Sequence, residues 1–196
     1  MRENQQRSTL APMARKPRIE VPGGYFHLTT RGVNGEPVFF DSGDRIVFLT
    51  RLARTVRLYD WVCTAYCLMT NHFHVVIQTP QPTLARGMEF LNGGYAKATN
   101  QRHGRDGHLF GRRYSSTAIE SDSHLLEAGR YVVLNPIRAG LCDAPAQWPW
   151  SSFRGTAGLT EAPGFLAVDR VLGLFGGDRH AATAAYRRFV LDGMQR

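Results

Sequence analysis

Ala65-Tyr-Cys-Leu-Met-Thr-Asn-His-Phe-His-Val-Val-Ile-Gln-Thr-Pro80 is the stretch from which the fold is read. Successive side chains of a strand point to opposite faces, so Phe73, Val75 and Ile77 share one face and His72 and His74 share the other. Trp61 to Met69 reads as the strand before it, joined through a tight turn at Thr70-Asn71. Outward from this hairpin the hydrophobic period changes. Ile46, Leu49, Leu52, Ala53 and Val56 recur at helical spacing behind an Asp41-Ser42-Gly43-Asp44 start, which predicts a helix to about Tyr59. Tyr25 to Arg31, after Pro22-Gly23-Gly24, alternates as a first strand with Tyr25, His27, Thr29 and Arg31 on one face. Pro82 to about Asn100 predicts a second helix, weakened by Gly87, Gly93 and Gly94, and Tyr114 to Ile119 a fourth strand. The order β-α-β-β-α-β predicts an α+β fold of ferredoxin-like type with a four-stranded antiparallel sheet.

Neutral imidazole is a common metal ligand, and a pair at i and i+2 on a rigid strand supplies half of a metal site. The same pair also fits two surface histidines on a half-exposed strand. A helix predicted from about Ser121 to Asn135 adds to the first reading. At about 100° per residue, Leu125, Leu126, Gly129, Val132 and Val133 form one stripe, and Tyr131 and Asn135 fall nearly opposite it. Asn135, one turn beyond Tyr131, offers a carbonyl oxygen as a third ligand beside His72 and His74. Glu127 lies one turn before Tyr131 on the same face and is an auxiliary candidate. Pro136 disfavours helical geometry at Asn135 and predicts a bend at the helix end.

The chain of 196 residues has room for one domain with a real core. No apolar run approaches the roughly 20 residues that cross a membrane, and no secretory leader is apparent, so a cytoplasmic protein is expected. A formal net charge of +8, with 22 of the 24 basic residues arginine, favours a polyanionic partner, since the planar guanidinium suits phosphate. In the segment Gln101 to Tyr114, Arg102, Arg105, Arg112 and Arg113 interleave with Phe110 and Tyr114 against one acid, Asp106. That composition suits phosphate contact and base stacking on single-stranded nucleic acid, and it equally fits a solvated loop. Cys63, Cys67 and Cys142 are expected as free thiols. Cys63 and Cys67 are about 13 Å apart along a strand, too far to share one tetrahedral ion.

His72-Phe-His74 behind Leu68-Met-Thr-Asn71, together with Tyr131-Val-Val-Leu-Asn-Pro-Ile-Arg-Ala-Gly-Leu141, resembles the HUH single-strand transposases, specifically their REP-associated tyrosine transposase branch. Phe26-His-Leu-Thr-Thr-Arg-Gly32, His108-Leu-Phe-Gly-Arg-Arg-Tyr114, Trp148-Pro-Trp-Ser-Ser-Phe153 and Tyr186-Arg-Arg-Phe-Val190 add to the resemblance in order along the chain. The resemblance implies metal-dependent cleavage and joining of single-stranded DNA at hairpins formed by REP-like palindromes. His72, His74 and Asn135 would hold Mg²⁺ or Mn²⁺, and Tyr131 would attack phosphorus to form a 5′-phosphotyrosine. The first strand would lie beside the histidine strand, making His27 and Arg31 candidates for DNA backbone contact. Arg102, Arg105, Arg112 and Arg113 become candidates for the same partner. From the resemblance, the extended tail fits a monomer with Tyr131 acting in cis better than the dimeric arrangement of shorter relatives. The loop Val33-Asn34-Gly35-Glu36 departs from the family pattern, which commonly carries Asn and basic residues there.

Three segments are expected: a disordered basic tail at 1–18, a catalytic domain at 19–143, and a helical extension at 144–196 packed on or next to that domain. In the extension, Trp148-Pro-Trp150 reads as an aromatic clamp, and two short helices are read at Val168 to Phe175 and Arg179 to Leu191. The rival to an enzyme is a non-catalytic module whose sheet stacks single-stranded bases, as RRM domains do. A host-retained relative that cuts a chromosomal repeat without moving is a further reading with the same chemistry.

Overall fold

The computed structural model describes residues 21–195, and the tail expected at 1–18 lies outside the described residues. Four strands, β1 (Gly24–Arg31), β2 (Val62–Leu68), β3 (His72–Thr79) and β4 (Ser115–Ile119), form one sheet in the order β2-β3-β1-β4, with every neighbouring pair antiparallel. This is the predicted ferredoxin-like topology. β1 and β2 run parallel but are separated by β3, so the two hairpin strands sit asymmetrically and β3 is central.

Alternation decides which side each strand buries. Phe26, Leu28, Phe73, Val75 and Ile77 meet α1 (Ser42–Leu58) and α2 (Leu84–His103), which contribute Phe48, Leu52, Met88, Leu91 and Tyr95. On the reverse face Val76, Ala65 and Cys67 meet Leu125, Ala128 and Val132 of α3 (Asp122–Arg138). Both α1 and α3 start on a side-chain acceptor for a free backbone N–H: Asp41 accepts from Asp44 N at the head of α1, and Ser121 accepts from His124 N at the head of α3. Gly87, read as a weakness of α2, is required there, because a Cβ would sit 2.0 Å from a ring carbon of the buried Trp61.

Two departures from the sequence reading concern strand and helix ends. The ladder between β2 and β3 slips between Cys63 and Ala65, so Cys63 shares the α1/α2 side with Tyr66 and Leu68 although it is two residues from Ala65. The helix α3 does not end at Asn135; it runs through Pro136 to Arg138. Pro136 has no N–H for the Val132 carbonyl. The Asn135 side-chain Nδ2 donates to the neighbouring Tyr131 O at 2.8 Å and reaches the Val132 O only at 3.5 Å. Asn135 is consequently buried rather than opposite the apolar stripe.

The C-terminal extension adds α4 (Phe153–Thr156), α5 (Val168–Leu172) and α6 (Arg179–Asp192). Phe153, Val168, Leu172, Tyr186 and Val190 belong to the same core cluster as the sheet. The Trp148-Pro-Trp150 segment runs along the outer edge of β2: Leu68 N donates to Trp150 O and Ser152 N to Tyr66 O, both at 2.9 Å, and Trp148 Nε1 donates to Leu68 O. The Arg45 guanidinium lies over both indoles, at 5.9 and 5.6 Å. Farther along the same edge, Ala167 N donates to Cys63 O. None of the described helices is long and apolar enough to cross a membrane.

Candidate active site

The β1/β3 register sets Thr29 opposite His74 and Arg31 opposite His72, with His27 two residues along on the same face. The two imidazoles of β3 have ring centroids 5.0 Å apart. Each has one nitrogen engaged. His72 Nδ1 lies 2.7 Å from Asn71 Oδ1, an oxygen that can only accept, so Nδ1 carries the proton and Nε2 is left with its lone pair. Asn71 is itself anchored, donating from Nδ2 to Gly35 O at 2.9 Å. His74 Nδ1 lies 2.9 Å from His27 Nε2 and 3.0 Å from Thr29 Oγ1. His74 Nε2 is buried and has no hydrogen-bond partner. Burial pushes His72 down to about 4 and His74 down to about 3, with Arg31 adding to both and the other imidazoles adding to His74. Burial, and then His124, lowers His27 as well. All three rings are neutral at pH 7, the form in which imidazole binds a metal ion.

Tyr131 projects from α3 onto this trio. Its ring stands edge-on to His74 at 5.8 Å and to His27 at 5.9 Å, while Arg138 lies over it at 4.8 Å. At 43% exposure it is open to a large reactant, unlike the buried Tyr66, Tyr95 and Tyr186. A cavity of about 460 Å³ opens beside it, lined in part by His27, His124, Glu127, Arg130 and Arg138. Glu127 pairs with Arg130, whose guanidinium lies 4.3 Å from the Phe189 ring centroid and so ties the tyrosine helix to α6. Asn135 is bonded to its own helix rather than to either imidazole. With Nδ2 occupied, Oδ1 is the atom it has to offer.

The basic residues divide into two sets. Arg31, Arg112 and Arg113 line a groove of about 660 Å³ that also includes Thr29, Asn34 and Ser115, and therefore adjoins the histidines. Arg112 and Arg113 are exposed. Arg102, by contrast, is engaged with Asp41 and Asp44, and Arg105 reaches Glu36 at 3.4 Å while lying over Phe40. The Arg102 hydrogen bonds hold the Asp41 carboxyl well below the usual carboxylate range. Asp41, Asp44 and His103 have ligand atoms within 4.8 Å of one another. Arg102 already supplies the cation among them, so this group is a clasp between the start of α1 and the end of α2. Phe110 and Tyr114 are not free platforms for bases: Tyr114 is buried, and Phe110 packs against Phe73 and Tyr95.

Four participants were not legible as such. Thr29, Asn71 and the His27 pairing depend on strand register and loop docking. Arg138 lies two helical turns after Tyr131, a spacing that becomes meaningful once the helix is carried through Pro136.

The family model described as "Transposase IS200 like" matches residues 20–134, a span that holds His27, His72, His74 and Tyr131. A putative REP-associated tyrosine transposase of Haemophilus influenzae is 23% identical over 117 residues, covering 54% of this chain and 66% of that protein. The match thus spans just under two thirds of that relative's length. A solved structure described as a REP-associated tyrosine transposase bound to a REP hairpin shares the fold, with a TM-score of 0.64 over 85% of this chain and 93% of that chain at 16% identity.

Proposed function

This chain belongs to the IS200-like transposase family, and from that premise we propose that it is a metal-dependent single-stranded DNA endonuclease and strand transferase. In this reading Tyr131 forms a 5′-phosphotyrosine at hairpin-forming, REP-like palindromes. The observation that carries it is the exposed Tyr131 ring set edge-on to His74, whose Nε2 is buried and without a partner. A buried polar atom of that kind is costly unless a ligand completes it.

His72 Nε2, His74 Nε2 and Asn135 Oδ1 would hold Mg²⁺ or Mn²⁺. When bound, the ion neutralises charge on the scissile phosphate. Tyr131 Oη attacks phosphorus; the new P–O bond forms as the bond to the 3′-oxygen breaks, and that oxygen takes a proton from water and leaves as a 3′-hydroxyl. Glu127, in the cavity that Tyr131 borders and braced by Arg130, takes the phenol's proton. Reversal by an incoming 3′-hydroxyl rejoins strands without external energy. Arg31, Arg112 and Arg113 track the DNA backbone along the adjoining groove. Arg102 and Arg105 serve this surface indirectly, by fixing the base of the loop that carries Arg112 and Arg113. Packing of Tyr131 on the histidines of its own chain supports action in cis by a monomer. The RRM-like alternative needs an open sheet face and exposed aromatics. Here α3 covers the reverse face, and Phe110 and Tyr114 pack inward.

The test uses 5′- and 3′-labelled hairpin oligonucleotides drawn from repeats flanking the gene, with Mn²⁺ or with EDTA. An SDS-resistant adduct keeping only the 3′-side fragment is expected with Mn²⁺ alone. Tyr131→Phe should bind the hairpin with unchanged affinity and give no adduct. Tight binding by the wild type with no adduct on any of these repeats would replace the enzyme with a binding module.

A further inference from the structure

Two polar groups of β1 converge on one nitrogen of β3. His27 Nε2 and Thr29 Oγ1 lie 2.9 and 3.0 Å from His74 Nδ1, and the His27 and His74 rings are stacked with centroids 5.1 Å apart at 27°. We propose that His27 and Thr29 are positioning residues for the metal site: they hold His74 with its proton on Nδ1, so that Nε2 is presented as a bare lone pair in a fixed ring plane. This rests on the reading of His72 and His74 as metal ligands and assigns His27 a different task from DNA backbone contact.

Proton placement decides between the two possible directions of this hydrogen bond. A neutral imidazole has one N–H. Were His27 to donate from Nε2, His74 Nδ1 would accept and its proton would sit on Nε2, where the buried atom has no acceptor. With the direction reversed, His74 donates to His27 Nε2, and His27 carries its own proton on Nδ1. Only this arrangement leaves His74 Nε2 able to bind a cation. The Thr29 hydroxyl rotates to suit either direction, so it braces the ring, while His27 selects the tautomer. Both side chains come from a strand hydrogen-bonded to β3, with Thr29 directly opposite His74, so their aim is set by the sheet and not by a loop. A consequence reaches Tyr131: in the cation-loaded protein His27 is a hydrogen-bond donor at the cavity it shares with Tyr131, and it is not the acceptor of the phenol's proton.

The experiment measures Mn²⁺ binding to the full chain without DNA, by electron paramagnetic resonance of the free ion. Wild type, His27→Phe, His27→Gln and Thr29→Val are compared, and hairpin affinity in EDTA is measured on the same proteins. Loss of a group that orients a metal-bound histidine typically costs about 10- to 100-fold in metal affinity, and His27→Phe should fall in that range. Thr29→Val should lose less, and His27→Gln, whose amide oxygen accepts a hydrogen bond, should recover part of the loss. Hairpin affinity in EDTA should stay close to wild type, since no metal ion is then bound for His74 to be oriented toward. In wild type, ¹⁵N shifts of His74 in EDTA should show the proton on Nδ1. Unchanged Mn²⁺ affinity in His27→Phe, or a proton on Nε2, overturns the proposal. A fall in hairpin affinity with Mn²⁺ binding intact returns His27 to backbone contact. Wild type that binds no Mn²⁺ overturns the metal reading itself. If His27→Phe does not fold, the Gln and Val variants carry the comparison.

Discussion

His72 and His74 bind protons more weakly in the folded chain than in the unfolded one, and this has a definite sign. The unfolded value lies near 6.5, and the folded values are about 4 and about 3. Between these limits the unfolded state holds more protons, so stability rises with pH. It is fully present above about 6.5 and is lost progressively as the pH falls toward 4. Melting of the metal-free protein in EDTA should therefore show Tm falling from pH 7 to pH 4, and His74→Gln should flatten that slope. An equal slope in the variant would mean that other groups control acid sensitivity. The face shared by these two histidines was legible from strand alternation alone. Their partners were not, because opposition of Thr29 to His74 is a register between segments 45 residues apart.

The tyrosine helix shows where periodicity helps and where it stops. Its apolar stripe and the exposure of Tyr131 follow from helical spacing, and its start follows from Ser121. Its end does not: Pro136 is a local signal to stop, and the helix nevertheless runs on to Arg138. In the proposed site Asn135 has two tasks: Nδ2 bonds back to the Tyr131 carbonyl, and Oδ1 would be the oxygen offered to a cation. Asn135→Asp separates them. A carboxylate keeps an oxygen for the metal but has no donor for the Tyr131 carbonyl, so the variant should lose about 1–3 kcal/mol of stability in urea unfolding in EDTA. Its Mn²⁺ affinity should be retained or increased. A fully stable variant that no longer binds Mn²⁺ would show that the back-bond carries no weight. Strand β2 gives the same lesson. Alternation through Cys63 and Ala65 assigns both to one face, and the slipped ladder places them on opposite sides.

At the scale of the whole molecule, the β-α-β-β-α-β order could be read from the chain, as could an extension lying against the domain; which of its side chains enter the sheet's core could not. Phe153, Tyr186 and Val190 are buried in the cluster that includes the sheet. A chain ending at residue 143 should therefore lose its cooperative melting transition, seen by circular dichroism. A sharp transition in that fragment would make the extension a separate unit. Charge also acts at this scale. Replacing Arg112 and Arg113 with Gln should make the salt dependence of hairpin binding shallower by about 0.7 in log–log slope for each phosphate that is no longer neutralised; an unchanged slope would remove these residues from the interface. The backbone hydrogen bonds of Trp150 and Tyr66 that fasten residues 148–152 along β2 have one more effect. A sheet with both edges bare can be extended from either side, and such growth produces ribbons and aggregates. Here the β2 edge is bonded by residues 150–152 and 167 of the same chain, and β4, five residues long, forms the opposite edge of the sheet. Growth from the β2 side would first have to strip off these bonds, so the extension guards that edge against ribbon formation.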